Sequence, residues 1–198
     1  DADQLLAVVA DAVKENPKLA VLITASAAFE IQDAAAKVAA AVAKAEPKAA
    51  AAIAASVAKV APKKDAAKIA ASVTLAVPAS AAKIAVAVSK AAPKAAAQIA
   101  ASVALSAPKL AIGIAAAVAR DNPDAAGLIA AAVAKSTGTN SSDVVKAVAK
   151  STGQDTAKVQ EASNNANVDQ IVSDANANVA SGKKDIALAN QPLKPADP

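Results

Sequence analysis

Residues 78–108 read PASAAKIAVAVSKAAPKAAAQIAASVALSAP, two consecutive 15-residue units bounded by Pro78, Pro93 and Pro108. In each unit one branched aliphatic residue stands six places after the proline and a second stands ten places after it: Ile84 and Val88, then Ile99 and Val103. That spacing puts both side chains on one face of a helix. The positions between them are mostly Ala, the strongest helix former, so each unit reads as a short helix with a narrow aliphatic ridge.

The unit extends in both directions. Prolines fall at 17, 47, 62, 78, 93, 108 and 123, and Gly138 and Gly153 continue the series where proline stops. Gln32 fills the slot between Pro17 and Pro47, and counting back places a first slot at Ala2. The ridge recurs as Ile53 and Val57, Ile114 and Val118, Ile129 and Val133, and Val144 and Val148. The unit opened by Pro62 carries Ile69 and Val73, displaced by one inserted residue. Self-similarity at a fixed period is the signature of a repeat architecture.

A single long rod does not fit this pattern. Fifteen residues at 100° each leave a drift of about 60° per repeat, so the ridge would circle the axis. A proline inside a helix costs roughly 3 kcal/mol, whereas at the first helical position it presets the backbone at little cost. Ser136-Thr137-Gly138-Thr139-Asn140-Ser141 and Ser151-Thr152-Gly153-Gln154-Asp155 read as a helix stop, a turn and a new cap. Asn16-Pro17 and Asn122-Pro123 mark the same boundary with proline. Each unit is therefore a helix of about 11 residues, about 16 Å long, followed by a short turn that reverses the chain. No such helix is stable alone in water, so stability must come from stacking neighbour on neighbour.

The expected fold class is all-α: an α-solenoid of about ten short antiparallel Ala-rich helices with an extended C-terminal arm. A two-helix period is also visible, because residues 69–78 (IAASVTLAVP) and 99–108 (IAASVALSAP) match 30 residues apart. The layout resembles HEAT-like and other α-solenoids, and since no signature of a named repeat family is present, no function is carried over from them.

Composition narrows the chemistry. The 198 residues are 55% hydrophobic with Phe29 as the single aromatic, and they contain no Trp, Tyr, Met, Cys or His. A core of Ala, Val and Ile must be thin, with helix axes near the lower end of the usual spacing, about 8 Å. Without His the chain lacks the usual neutral-pH general base and the commonest transition-metal ligand. Without Cys it has neither a disulfide framework nor a thiol site. No nucleophile–base pair, paired carboxylates, metal-ligand cluster or phosphate-cradling glycine loop is discernible, so the reading is of a non-enzyme with no cofactor, no metal and no small-molecule substrate. No apolar run is long enough to span a bilayer, which argues against integral membrane insertion. Arg120 is the only arginine, and with one ring in the chain the usual means of holding nucleic acid are missing. The chain begins at Asp1 without Met, the expectation for a secreted protein whose signal peptide has been removed.

Charge is distributed unevenly. Basic residues recur twelve places after the slot, at Lys14, Lys44, Lys59, Lys90, Arg120, Lys135 and Lys150, where a cation suits the C-terminal end of the helix dipole. A second set follows the proline directly (Lys18, Lys48, Lys63, Lys94, Lys109), at the wrong end for the dipole of its own helix. Residues 66–120 hold six cations (Lys68, Lys83, Lys90, Lys94, Lys109, Arg120) and no acid, whereas residues 1–33 hold six acids, among them Asp1, Asp3 and Asp11. Opposite signs of this kind steer subunits into register.

Three segments are expected: a repeat array over 1–162, an Asn-rich polar helix over 163–182 with Val168, Ile171, Val172, Ala175 and Val179 at helical spacing, and an extended proline-containing arm over 183–198. The functional expectation is a secreted structural protein, a homopolymer that assembles head-to-tail into an extracellular filament. Its candidate contacts are Lys68, Lys83, Lys94 and Lys109 facing Asp1, Asp3 and Asp11, together with Ile186, Leu188 and Leu193 on the arm. The alternative is an amphipathic coat or binding scaffold on a membrane or lipid surface.

Overall fold

The structure, a computed structural model, describes residues 2–189, with side chains from 4 to 187. The described residues form twelve α-helices and no strand. In chain order these are α1 (Ala2–Glu15), α2 (Ala20–Glu30), α3 (Ala35–Ala45), α4 (Ala50–Val60), α5 (Ala66–Ala76), α6 (Ala81–Ala91), α7 (Ala96–Ser106), α8 (Ala111–Asp121), α9 (Ala126–Thr137), α10 (Ser141–Thr152), α11 (Thr156–Asn164) and α12 (Asp169–Ala189). Helices α2 to α8 are each 11 residues long, as the spacing predicts.

The proline turns other than the one at Pro62 share one construction. The residue before the proline leaves the helical region, as Glu46 does at φ −121°, ψ 69° and Ala92 at φ −138°, ψ 71°. Proline forces this by clashing with an α-helical predecessor. The departing residue's N–H still closes the helix behind it (Glu46 to the Val42 carbonyl, 2.8 Å), and its carbonyl accepts from Ala49 (2.9 Å), which opens one 3-10 turn before the next helix. Ile31 adopts φ −122°, ψ 70° with Gln32 in place of proline, so stacking holds this turn without the ring. At the fourth turn the inserted residue adds one extended step: Ala61 lies at ψ 162° and Pro62 at ψ 136°, and the 3-10 turn starts at Lys63. The two glycine turns use a different device. Gly138 and Gly153 sit at φ 68° and 69°, the left-handed conformation glycine adopts without strain. Asn140 then accepts from the Asp143 N–H, and Asp155 from those of Ala157 and Lys158, to cap the next helix.

The longer fourth turn accounts for one of the lysines that follow proline, because it brings Lys63 beside the C-terminus of the preceding helix. Lys63 Nζ donates to the carbonyls of Ala58 and Lys59 at the end of α4 (3.2 Å each), which is the favourable end for a cation.

The array has two layers. Odd-numbered helices stack on one another in the order α1, α3, α5, α7, α9, α11, and even-numbered ones in the order α2, α4, α6, α8, α10, with sequential neighbours bridging the layers. The ridge lies between them: Ile53, Ile69, Ile84, Ile99, Ile114 and Ile129 are fully buried, as are Val57, Val73, Val88, Val103, Val118 and Val133. Burying a side chain of this size contributes roughly 1.5–3 kcal/mol.

Two sequence expectations are corrected at the ends. Counting back to a slot at Ala2 fails, because α1 is already helical there and buries Leu6, Val9 and Val13. The extended arm expected from residue 183 is also displaced, since α12 continues as a helix through Lys184 to Ala189. Gly182 is not a helix stop; it is buried at a close helix crossing, where an added Cβ would lie 2.8 Å from Ser72 Oγ and 3.2 Å from Ser72 Cα. Residues 190–198, including Leu193, lie outside the described residues.

Candidate functional site

The two layers bury the same core and differ on their outer faces. Counting the first residue of each 11-residue helix as position 1, both layers from α3 onward bury positions 1, 4, 5, 8 and 9; in α6 these are Ala81, Ile84, Ala85, Val88 and Ser89. Helices α5 and α7 bury positions 2, 6 and 7 as well: Ala67, Ala71 and Ser72, and Ala97, Ala101 and Ser102.

The cover on those positions is α12. It runs back along the odd layer, starting over α9, crossing α7 and α5 and ending over α3. Small side chains make the bed and polar pairs fix the register. Asn178 donates to Ser102 Oγ (3.2 Å), Gln98 donates to Asp174 (2.9 Å) and Ser72 Oγ donates to Asp185 (3.5 Å). Lys135 of α9 pairs with Asp169 at the start of α12. The apolar side of α12 (Ala175 and Val179) and Val168 just before it are buried as well.

This seam answers part of the charge asymmetry within one chain. Lys68 is 4.0 Å from Asp185, with its side chain only 28% exposed. Lys90 pairs with Asp121 (3.2 Å), which also lies 3.8 Å from Arg120. Of the residues expected to make contacts between subunits, Lys68 is therefore engaged inside the molecule, and Ile186 is half-buried on α12. Lys83, Lys94 and Lys109 are exposed and form no ion pair among the described residues, but they do not gather. Lys83 is on the outer face of α6, and Lys94 and Lys109 sit in the turns at either end of α7. Asp11 is exposed and pairs locally with Lys14 (3.3 Å). The side chains of Asp1, Asp3 and Leu188 lie outside the described residues.

The residues that build the seam (Ser72, Gln98, Ser102, Asp174, Asn178, Gly182 and Asp185) are absent from the sequence-based candidates. The match between 69–78 and 99–108 is their trace, because both stretches lie under α12. Gly127 is a further contact residue of this kind: an added Cβ would meet Ala162 Cβ and lie 2.8 Å from its carbonyl carbon.

The even layer has no such cover among the described residues. Its outer positions 2, 6 and 7 are again small or aliphatic: Ala51, Ala55 and Ser56 on α4, Ala82, Val86 and Ala87 on α6, and Ile112, Ala116 and Ala117 on α8. Apart from Val8, the exposed large apolar residues all belong to α2, α8 or the turns leading into them: Leu19, Leu22, Phe29, Leu110 and Ile112. Position 10 on this layer is otherwise a row of cations, Lys59, Lys90, Arg120 and Lys150. A shallow cleft of about 340 Å³ lies between α9, α10 and the α11–α12 connection, lined by Lys135, Thr139, Ser141, Ser163 and Asn164 among others. No group of three or more carboxylates placed to hold a metal occurs among the described residues, and no described helix is long and apolar enough to cross a membrane. Comparison with protein-family models, with curated proteins and with solved structures finds no match.

Proposed function

We propose that this chain is a structural subunit that self-assembles through its stacked helical repeats into an extracellular filament or surface fibre. The observation that carries this reading is the contrast between the two faces. One alanine-rich bed is filled by the chain's own α12, while the equivalent bed on the even layer is open and displays Leu19, Leu22, Phe29, Leu110 and Ile112. These residues form two apolar groups, on α2 and on α8, joined by the small side chains of α4 and α6, and exposed apolar surface of this kind marks interaction surfaces. The exposed residues of the end helices are mostly polar: Gln4, Asp11, Lys14 and Glu15 on α1, with Val8 the one apolar member, and Thr156, Lys158 and Glu161 on α11. Polar outer stripes are what capping repeats carry. A head-to-tail contact would bury those charges, so side-by-side contact through the even layer is favoured over end-to-end stacking.

Negative-stain microscopy of the purified chain at rising concentration tests the proposal. Fibres, or particles built from several rods, are expected; single rods at every concentration would refute it. The coat reading draws on the cationic row beside that same apolar surface, since lysines and arginines near an anionic bilayer contribute about 1 kcal/mol each. Flotation with anionic and neutral liposomes separates the two, because a filament subunit stays at the bottom of both gradients.

A further inference from the structure

Position 10 shows where a partner is missing. Along the array this position is Phe29, Lys44, Lys59, Leu75, Lys90, Leu105, Arg120, Lys135 and Lys150. Three members of this column are apolar. Leu75 and Leu105 lie on the odd layer beneath α12, half-buried, with Leu75 Cδ1 at 3.0 Å from where a Gly182 Cβ would stand. Apolar residues thus replace cations where the middle of α12 crosses the face, over α5 and α7; at its two ends the position stays cationic, as Lys135 on α9, which pairs with Asp169, and Lys44 on α3. Phe29 is the third, is 59% exposed, and is joined on the same face of α2 by Leu22 at 66%.

We propose that the outer face of the even layer is the contact between two copies of this chain, related by a two-fold axis along the stack, with Leu22 of each copy packed against Phe29 of the other. The inference rests on the self-assembly reading and names one of its contacts: an isologous pair closes on itself, so this face makes a dimeric unit, and a filament grows from that unit only through a second surface. Under that axis each even helix meets its own copy antiparallel, and position 3 of one lies opposite position 10 of the other. The resulting pairs are Leu22 with Phe29, Ala52 with Lys59, Gly113 with Arg120, and Asp143 with Lys150. Apolar meets apolar, small meets long, and the one acid of the column meets a cation. Lys83 faces Lys90, but Lys90 is already paired with Asp121 at 3.2 Å in its own chain. A two-fold that laid α2 over α10 would instead set Leu22 against Asp143 and Phe29 against Lys150. The face is about 45 Å by 16 Å, on the order of 700 Å² per copy from helix length and spacing. A stable interface buries about 800 Å² per partner, so the surface is of the right size for an isologous contact.

Because the chain has no cysteine, crosslinking reads this contact directly. The full-length double variant Leu22→Cys/Phe29→Cys, mildly oxidised, should give a disulfide-linked dimer, while Lys94→Cys, on a turn, should not. In sedimentation equilibrium Phe29→Asp should weaken dimerisation about tenfold or more. Asp143→Lys should weaken it less, and Asp143→Lys/Lys150→Asp should restore it. Phe29 is exposed, so an unchanged circular-dichroism melt at monomeric dilution confirms that the variant is folded. If the chain assembles but Phe29→Asp and the crosslinks leave assembly untouched, this interface is wrong while the self-assembly reading stands. If the wild-type chain stays monomeric throughout, both fail.

Discussion

The pentapeptide Ile-Ala-Ala-Ser-Val occurs three times at the same place in its helix: residues 53–57 in α4, 69–73 in α5 and 99–103 in α7. In the two odd helices its serine is fully buried and bonded to α12, Ser72 to Asp185 and Ser102 to Asn178. In α4 the same serine, Ser56, is only half-buried and faces outward from the even layer. Local sequence therefore sets the helix and its inward ridge equally well in all three. What differs is the assignment of α12 to one layer, decided more than 60 residues downstream by Gly182, Asp174 and Asp185.

The strongest way to break this contrast is to remove the cover. A chain ending at residue 168 would leave the odd layer as open as the even one, with Leu75, Leu105 and both serines newly exposed. Stability in a repeat array is close to a sum of nearest-neighbour interface terms, and losing the burial of Val179, Ala175 and the half-buried Ile171 and Val172 should cost on the order of 5 kcal/mol. Chemical denaturation followed by circular dichroism measures the loss. An unchanged midpoint would mean that α12 does not hold the odd layer.

Glycine gives a two-sided test of intermediate size. Gly113 is exposed on α8 with nothing within 4 Å of an added Cβ, so Gly113→Ala should gain about 1 kcal/mol of helix propensity. Gly182→Ala offers the same propensity gain but pushes a methyl against Ser72 Oγ and Leu75, and should lose about 1–2 kcal/mol net. Opposite signs for one chemical change would establish that the two faces differ in packing. Equal gains would show that α12 is loosely seated.

Much of this molecule was legible because its period is strict. Ile84 at slot plus six and Val88 at slot plus ten fixed helix length, ridge and turn, and all seven ridge pairs from Ile53 onward are buried. The layer that is covered was not legible in the same way, because positions 1, 4, 5, 8 and 9 are alike in both layers and only the outer positions differ. Leu75 and Leu105 in a cationic column were the available signal, and they register only once α12 lies over them. Gly182 misled for a related reason: a glycine near the end of a polar helix reads as a stop when its neighbour across the crossing is unseen. Lys63 was opaque because a dipole argument confined to one helix omits the preceding helix, whose carbonyls it reaches.

A buried hydroxyl sharpens the contrast within the covered layer. Thr74 at position 9 of α5 is fully buried, and its Oγ1 has no hydrogen-bond partner among the described residues. A buried polar group left unpaired costs about 1–3 kcal/mol, and valine has nearly the same shape. Thr74→Val should therefore raise stability by about 1 kcal/mol in a denaturant titration. The buried Thr24 of α2 is the control, since its hydroxyl donates to the Ala20 carbonyl and Thr24→Val removes a bond already made. A gain at both positions would dissociate the effect from hydrogen bonding.

The smallest test returns to the repeated pentapeptide. Ser→Ala in a helix interior gains up to about 0.5 kcal/mol of intrinsic propensity, the same for Ser56 and Ser102 because both sit at position 7. At Ser56 nothing on the open face opposes that gain, so Ser56→Ala should stabilise by a few tenths of a kcal/mol. At Ser102 the substitution leaves the Asn178 amide of α12 without its acceptor in a buried seam, a loss of about 1 kcal/mol that outweighs propensity. The difference between two otherwise identical substitutions therefore isolates what the α12 contact adds to one serine. A double-mutant cycle pairing Ser102→Ala with Asn178→Ala assigns that difference to the hydrogen bond if the coupling is about 1 kcal/mol, and to packing if it vanishes.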